Sequence, residues 1–156
     1  MELIPLDKKM DAFIVPWLGK TMKLVDVLVN LVFRQHNMEL KKNQVIILRL
    51  ISNGMHAQSD LSIVTERDKS SLSRLLKGMI SKGLVKRQKD EIDARQFQVY
   101  LTKKGEETLE QALPILVEAF DKIQDRVSQE DLETVKRVMG HFQNNISKEL
   151  TLFDNK

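Results

Sequence analysis

At 156 residues, 42% apolar and 30% charged, the chain has room for one domain with its own core, or a small domain plus an oligomerisation arm, and its composition is not that of a disordered protein. It has no cysteine, which excludes a disulfide framework, a thiolate metal site and a thiol redox switch within the chain. The net charge of +3 is segregated: residues 41–104 hold 14 Lys+Arg against 6 Asp+Glu, a local +8, and the remainder holds 11 against 16, a local −5. A basic middle between acidic flanks is the electrostatic footprint of a nucleic-acid-binding module, with a merely solvated charged face as the competing reading.

The first fifteen residues lack the basic-then-apolar order of a signal peptide. The most apolar run, Leu24 to Phe33, is interrupted by Asp26 and Asn30 and is about half the roughly 20 residues that a membrane span needs. A cytoplasmic protein without membrane contact is expected. Along this first long helix Leu18, Met22, Val25, Leu28 and Val32 keep helical spacing, and Val27, Leu31 and Phe33 add apolar residues off that stripe. A helix apolar on more than one side must be covered on more than one side, by a core and by a second subunit.

A second helix is predicted over 42–52, with Val45, Ile46, Leu48 and Ile51 facing inward and Asn53-Gly54 as its stop. Residues 58–66 form a short third helix with Leu61 and Val64 apolar. Asp68 is the predicted N-cap of a fourth, 69–82, which buries Leu72, Leu75, Leu76 and Met79 and ends at Gly83. Residues 84–88 and 96–101 alternate with period two and read as a hairpin, with a long polar connection that should project from the body. Thr102 caps a fifth helix along which Leu109, Leu113, Leu116, Phe120, Ile123 and Val127 run, with a kink expected at Pro114. Ser128 to Asp131 has a capping-box pattern that opens a sixth helix, where Leu132, Val135, Met139, Phe142 and Ile146 step 3-4-3-4 as a helix–helix seam. The fold class is thus mainly α with a small β-hairpin.

The fourth helix and the hairpin carry the chemistry. The first turn of a helix in a major groove reaches base edges, where small hydroxyls permit close approach and Arg pairs with guanine. Ser70, Ser71, Ser73 and Arg74 suit that task, and Lys69, Lys77, Lys86, Arg87 and Lys89 would neutralise phosphates. Arg95, at the hairpin tip, could enter a narrow minor groove, with Asp93 two residues earlier on the same side of the chain to pin it or Arg87. Taken singly, each of these is equally a solvated surface residue or a weak surface ion pair.

Leu40 with Gln44 and Leu48, Gln58 with Leu61, Ser73-Arg74-Leu75-Leu76, Lys82-Gly83-Leu84-Val85 with Arg87, Asp93-Ala94-Arg95 and Leu101-Thr102-Lys103-Lys104-Gly105 stand in this order along the chain. In that order and spacing the sequence resembles the MarR family of winged helix-turn-helix transcriptional regulators over nearly its whole length. The resemblance implies a DNA-binding domain at 41–102 and a helical dimerisation region at 1–40 and 103–156. It implies that the fourth helix is the recognition helix and that Asp93-Ala94-Arg95 is the wing motif. The expected activity is homodimeric binding to a palindromic operator in double-stranded DNA, usually to repress, with release by a small, often aromatic or phenolic, ligand. The dimer seam would be Leu132, Val135, Met139, Phe142 and Ile146. Three positions depart from the family pattern: Lys41 replaces a capping Ser or Thr, Ser62 a small Ala, and Ala94 a frequent second Arg that would touch phosphate.

A ligand crevice between helical arms and DNA module would draw on Trp17, Phe33, His36 and Met55, with core or interface packing the competing role for Trp17 and Phe33. His36, His56 and His141 have no metal-ligand spacing, and no phosphate loop, nucleophile elbow or acid/base pair of carboxylates is present. No cofactor, metal or enzymatic activity is expected. Two alternatives remain at this stage: a winged-helix protein-interaction module that reads no operator, and a metal-responsive regulator.

Overall fold

A computed structural model describes Met10, residues 12–89 and residues 97–154. In chain order the elements are α1 (Ile14–Gln35), α2 (Lys42–Ser52), α3 (Gln58–Val64), α4 (Lys69–Ser81), β1 (Val85–Lys89), β2 (Phe97–Leu101), α5 (Lys103–Ile123) and α6 (Gln129–Asp154). Two compact units divide the chain between Ala119 and Phe120. This boundary follows packing, and it differs from the role-based boundaries at 40/41 and 102/103 expected from the sequence.

The first four helices end in the same way. After the last helical turn one residue takes a left-handed conformation: Asn37 (φ 55°), Gly54 (93°), Glu66 (51°) and Gly83 (69°). The next N–H then returns to the carbonyl three residues before the cap: Met38 to Phe33 (2.8 Å), Met55 to Leu50, Arg67 to Ser62 and Leu84 to Met79 (3.0 Å each). These closures satisfy carbonyls that a helix end leaves free, and glycine or asparagine makes them at least steric cost. Glu66 makes the same turn without either advantage. The Ser62 hydroxyl donates to the Arg67 carbonyl at 2.5 Å, so this departure from the family pattern fastens the α3–α4 turn. At the start of α2 the Lys41 side chain caps nothing, but the buried Gln44 accepts the Lys41 N–H at 3.0 Å, which supplies the reciprocal half of a capping box.

One core joins the elements of the first unit. Val29 and Phe33 of α1 meet Val45, Ile47, Leu48 and Ile51 of α2, Leu61 of α3, and Leu72, Leu76 and Met79 of α4. Leu84, Val85 and Val99 from the hairpin and Leu109 and Ala112 from α5 complete it. Two expected faces are corrected. On α2, Ile47 is fully buried and Ile46 is 42% exposed. The buried arc runs through Gln44, Val45, Ile47, Leu48 and Ile51, and Ile46 lies about 200° from Gln44 on the helical wheel. On α1 the buried line is Val29–Phe33 with Val25 half-buried, whereas Met22, Val27 and Leu31 are exposed. Val64, the last residue of α3, is also exposed.

β1 and β2 pair antiparallel in the register Val85↔Leu101, Arg87↔Val99, Lys89↔Phe97. The α2–α3 connection adds a bridge from Ala57 to Gln98, and the Val99 N–H donates to the His56 carbonyl at 2.9 Å. Thr102 caps α5 as expected: its hydroxyl oxygen accepts the Gly105 N–H at 3.0 Å and donates to the Gly83 carbonyl at 2.5 Å. Gly105 is required there, because a Cβ would stand 1.9 Å from the Leu84 carbonyl oxygen. α5 continues through Pro114, which cannot return an N–H to the Glu110 carbonyl.

The second unit holds the last turn of α5, a connection and α6. Val127 lies beyond the helix, because α5 stops at Ile123 and the chain turns through Arg126 at φ 61°. The Ser128 hydroxyl accepts the Asp131 N–H at 3.0 Å and bonds the Asp131 carboxylate at 2.6 Å, which caps α6. No helix among the described residues is long and apolar enough to cross a membrane.

Candidate nucleic-acid interface

α4 is fixed in the first unit by one side and free on the other. Leu72, Leu76 and Met79 are buried and Leu75 half-buried. Opposite them Ser70, Ser73, Arg74 and Lys77 are exposed at i, i+3, i+4 and i+7, with exposed Lys69 beside them. The helix start is organised by Asp68, whose carboxylate accepts the Ser71 N–H at 2.8 Å and the Ser70 hydroxyl at 2.6 Å. The Ser70 hydroxyl, then the Ser71 backbone, hold the Asp68 carboxyl below its usual range. Arg67 donates to the Ser71 hydroxyl at 3.3 Å, so half-buried Ser71, like the Ser70 hydroxyl, is drawn into the helix start, and Ser73 and Arg74 are more open to a ligand. Arg67 was not singled out in the sequence; its place two residues before a helix's first turn was the available signal.

The hairpin presents Arg87 and Lys89, both exposed and on one face, with Lys86 on the other. The Arg87 guanidinium lies 3.6 Å from the centre of the Phe97 ring, a cation–π contact between diagonal cross-strand neighbours. Phe97 therefore limits where Arg87 can reach. Asp93 and Arg95 lie outside the described residues.

The effector residues expected from the sequence are dispersed. Phe33 is wholly buried in the core, where its role is packing. Trp17 is exposed with the Lys20 ammonium 5.3 Å above its ring, His36 is exposed at the end of α1, and Met55 is half-buried against the core. None of the four lines either of two open clefts in the first unit. The first, about 430 Å³, lies among the α1–α2 connection, the end of α4 and the start of α5. There Lys82 and Lys104 spend their ammonium groups on the carbonyls of Glu39 (2.7 Å) and Lys82 (2.9 Å). The second, about 540 Å³, is bounded by the end of α2, the outer face of the hairpin and the first turns of α5. His56 and Tyr100 stack at its wall, ring centres 4.4 Å apart. Only the tertiary fold brings these two residues together, and no local sequence pattern connects them. Among the described residues no three His, Asp or Glu side chains are grouped to hold a metal ion.

On α6, Leu132, Met139 and Phe142 are half-buried, and Val135 and Ile146 are 53% and 56% exposed. The apolar line continues past its expected end into Leu150 and Phe153, both exposed.

Residues 29–112 match the family model described as transcriptional regulator SarA/Rot. The transcriptional regulator HosA of Escherichia coli is 31% identical over 113 residues, spanning 70% of this chain and 83% of that protein. In fold the chain is similar to a point mutant of E. coli MarR complexed with operator DNA, with a TM-score of 0.74 at 22% identity over 88% of this chain and 99% of that one. It is also similar to the transcriptional repressor CouR bound to a 23-mer DNA duplex, with a TM-score of 0.79 at 15% identity over 89% of this chain and 99% of that one.

Proposed function

Because the chain belongs to the SarA/Rot family of transcriptional regulators and has the MarR-type winged helix-turn-helix fold, we propose that it binds a palindromic DNA operator as a homodimer, represses from it and leaves it when a small molecule binds. The observation that carries this reading is the polar stripe of α4. Ser70, Ser73, Arg74 and Lys77 are exposed on a helix whose other side is locked into the core. A helix so held can enter a major groove without rearranging, and Arg74 offers a bidentate donor to guanine.

The roles divide along the chain. Residues 41–102 read DNA: Lys69, Ser70, Ser71, Ser73, Arg74 and Lys77 from α4, and Arg87, Lys89, Asp93 and Arg95 from the wing. Residues 1–40 and 103–156 dimerise, through Leu132, Val135, Met139, Phe142 and Ile146 and through the exposed apolar residues of α1. Support for the dimer comes from α6, a helix of 26 residues in which none of the described side chains is buried. In such a dimer the two α4 helices sit about 34 Å apart, one turn of B-DNA.

If Lys69, Lys77, Arg87 and Lys89 of each subunit meet phosphate, the dimer neutralises about eight charges, and log affinity should fall against log salt with a slope of roughly −7. Selection of bound sequences from a random duplex pool, followed by gel shifts across a salt series, tests the reading. A palindrome with half-sites one helical turn apart and a steep slope is expected. Failure to select any sequence would refute it.

A further inference from the structure

The geometry points to the cleft behind the wing as an effector site for a flat organic cation of the aromatic amidinium class. This deepens the ligand-release part of the function proposed above and rests on it. Three properties of the cleft select that class. Its floor is apolar, made by Ile51, Leu101, Leu109 and Leu113. Its wall is the His56–Tyr100 stack, with an interplanar angle of 27°, which suits a planar partner. Its polar groups are mostly acceptors.

The acceptors can be assigned one by one. His56 Nδ1 lies 3.1 Å from the Val99 carbonyl oxygen. A carbonyl only accepts, so Nδ1 carries the hydrogen and Nε2 of the neutral ring is an acceptor. The Tyr100 hydroxyl donates to the Gln98 side chain at 2.5 Å, so its oxygen is left to accept. Glu106 and Glu110, one helical turn apart on α5, both line the cleft and have no ion-pair partner among the described residues. Against these stands one cation, Lys86. An aromatic carboxylate would bring a third negative charge to the two glutamates. An aromatic cation would meet both glutamates and lay its ring against the stack.

The placement also gives such a ligand leverage on DNA. Lys86 and Tyr100 belong to the wing strands, and Glu106 and Glu110 to the helix that leaves the wing, so the occupant touches both. It shifts the operator equilibrium to the extent that it binds the DNA-free arrangement more tightly than the DNA-bound one.

Benzamidinium and benzoate, flat isosteres of opposite charge, separate the possibilities by calorimetric titration of the full-length protein. Benzamidinium should bind at least about tenfold more tightly than benzoate, and E106Q/E110Q should remove that preference while leaving the fold intact. K86M should leave benzamidinium binding equal or tighter. Saturating benzamidinium should weaken operator binding in a gel shift. Equal or tighter benzoate binding, a preference unchanged in E106Q/E110Q, no binding of benzamidinium, or binding without any change in operator affinity would each overturn the proposal. Operator binding without added ligand is measured in the same series, so failure of the DNA reading is seen separately from failure of the cleft.

Discussion

α4 and α6 are both amphipathic helices, and they differ in where the apolar side ends. α4 places Leu72, Leu76 and Met79 in the core of its own unit and leaves a polar stripe outside. α6 is twice as long and buries none of its described side chains, although Leu132 to Phe153 supply an apolar residue at almost every turn. The same periodicity thus serves two purposes. A short helix is positioned by its own chain so that its polar side can act. A long one leaves its described apolar residues half-buried or exposed, which is the support for the dimer proposed above.

The largest expected effect separates these two kinds of burial. Leu76→Ala should cost about 3 kcal/mol of folding stability, the transfer and cavity cost of a core leucine. In chemical denaturation that loss should be the same at every protein concentration. Phe142→Asp should instead abolish the dimer, seen as a halved mass in analytical ultracentrifugation, and its stability, unlike that of the wild type, should not depend on concentration. A Phe142→Asp protein that remains dimeric would remove α6 from the interface.

Next in size are substitutions on the polar side. Arg74→Ala should weaken operator binding by about 1–3 kcal/mol and relax preference at one base pair per half-site. Arg95→Ala should weaken binding by no more than that, with the dimer intact in the centrifuge. Unchanged binding in Arg74→Ala would mean that the exposed stripe of α4 is only a solvated surface.

Smaller still is a pH effect at the helix start. The Asp68 carboxyl is depressed first by the Ser70 hydroxyl and then by the Ser71 N–H. A depressed pKa contributes stability that is present above the unfolded value, near 3.8, and lost as pH falls through the lower folded value. Thermal melts of wild type and Asp68→Asn should therefore diverge above pH 4 and converge in stronger acid. The smallest effect belongs to Glu66, held left-handed at φ 51° without glycine's freedom. Glu66→Gly should raise stability by about 0.5–1 kcal/mol in denaturant titration, and a loss would show that the turn is unstrained.

Local signals explain what could be read from the sequence. Asn53-Gly54, Asp68, Gly83 and Thr102 are turn and cap residues whose chemistry acts within a few positions, and the bounds of α2 and the starts of α4 and α5 fell where they put them, while α4 ends at Ser81, one residue before its expected end. Faces were harder. Val45-Ile46-Ile47-Leu48 is apolar at four successive positions, so periodicity cannot choose between Ile46 and Ile47, and the polar residue that marks the phase, Gln44, is itself buried. α1 is ambiguous for a related reason: its apolar residues cover more than one side, and only packing shows that Val29 and Phe33 face the core. In the candidate interface, the exposed residues of α4 follow from its helical period. The stacking of His56 on Tyr100 and of Arg87 on Phe97 depends on strand register and on a connection folding back, which no local pattern encodes.

Gly105 leaves no room for even a methyl group against the Leu84 carbonyl, and Thr102 ties the same corner to Gly83. There is consequently no slack at this joint. Tilting the start of α5 must swing the root of the hairpin with it, as a crank turns its shaft, so that a few degrees at one end become a sideways stroke at the other.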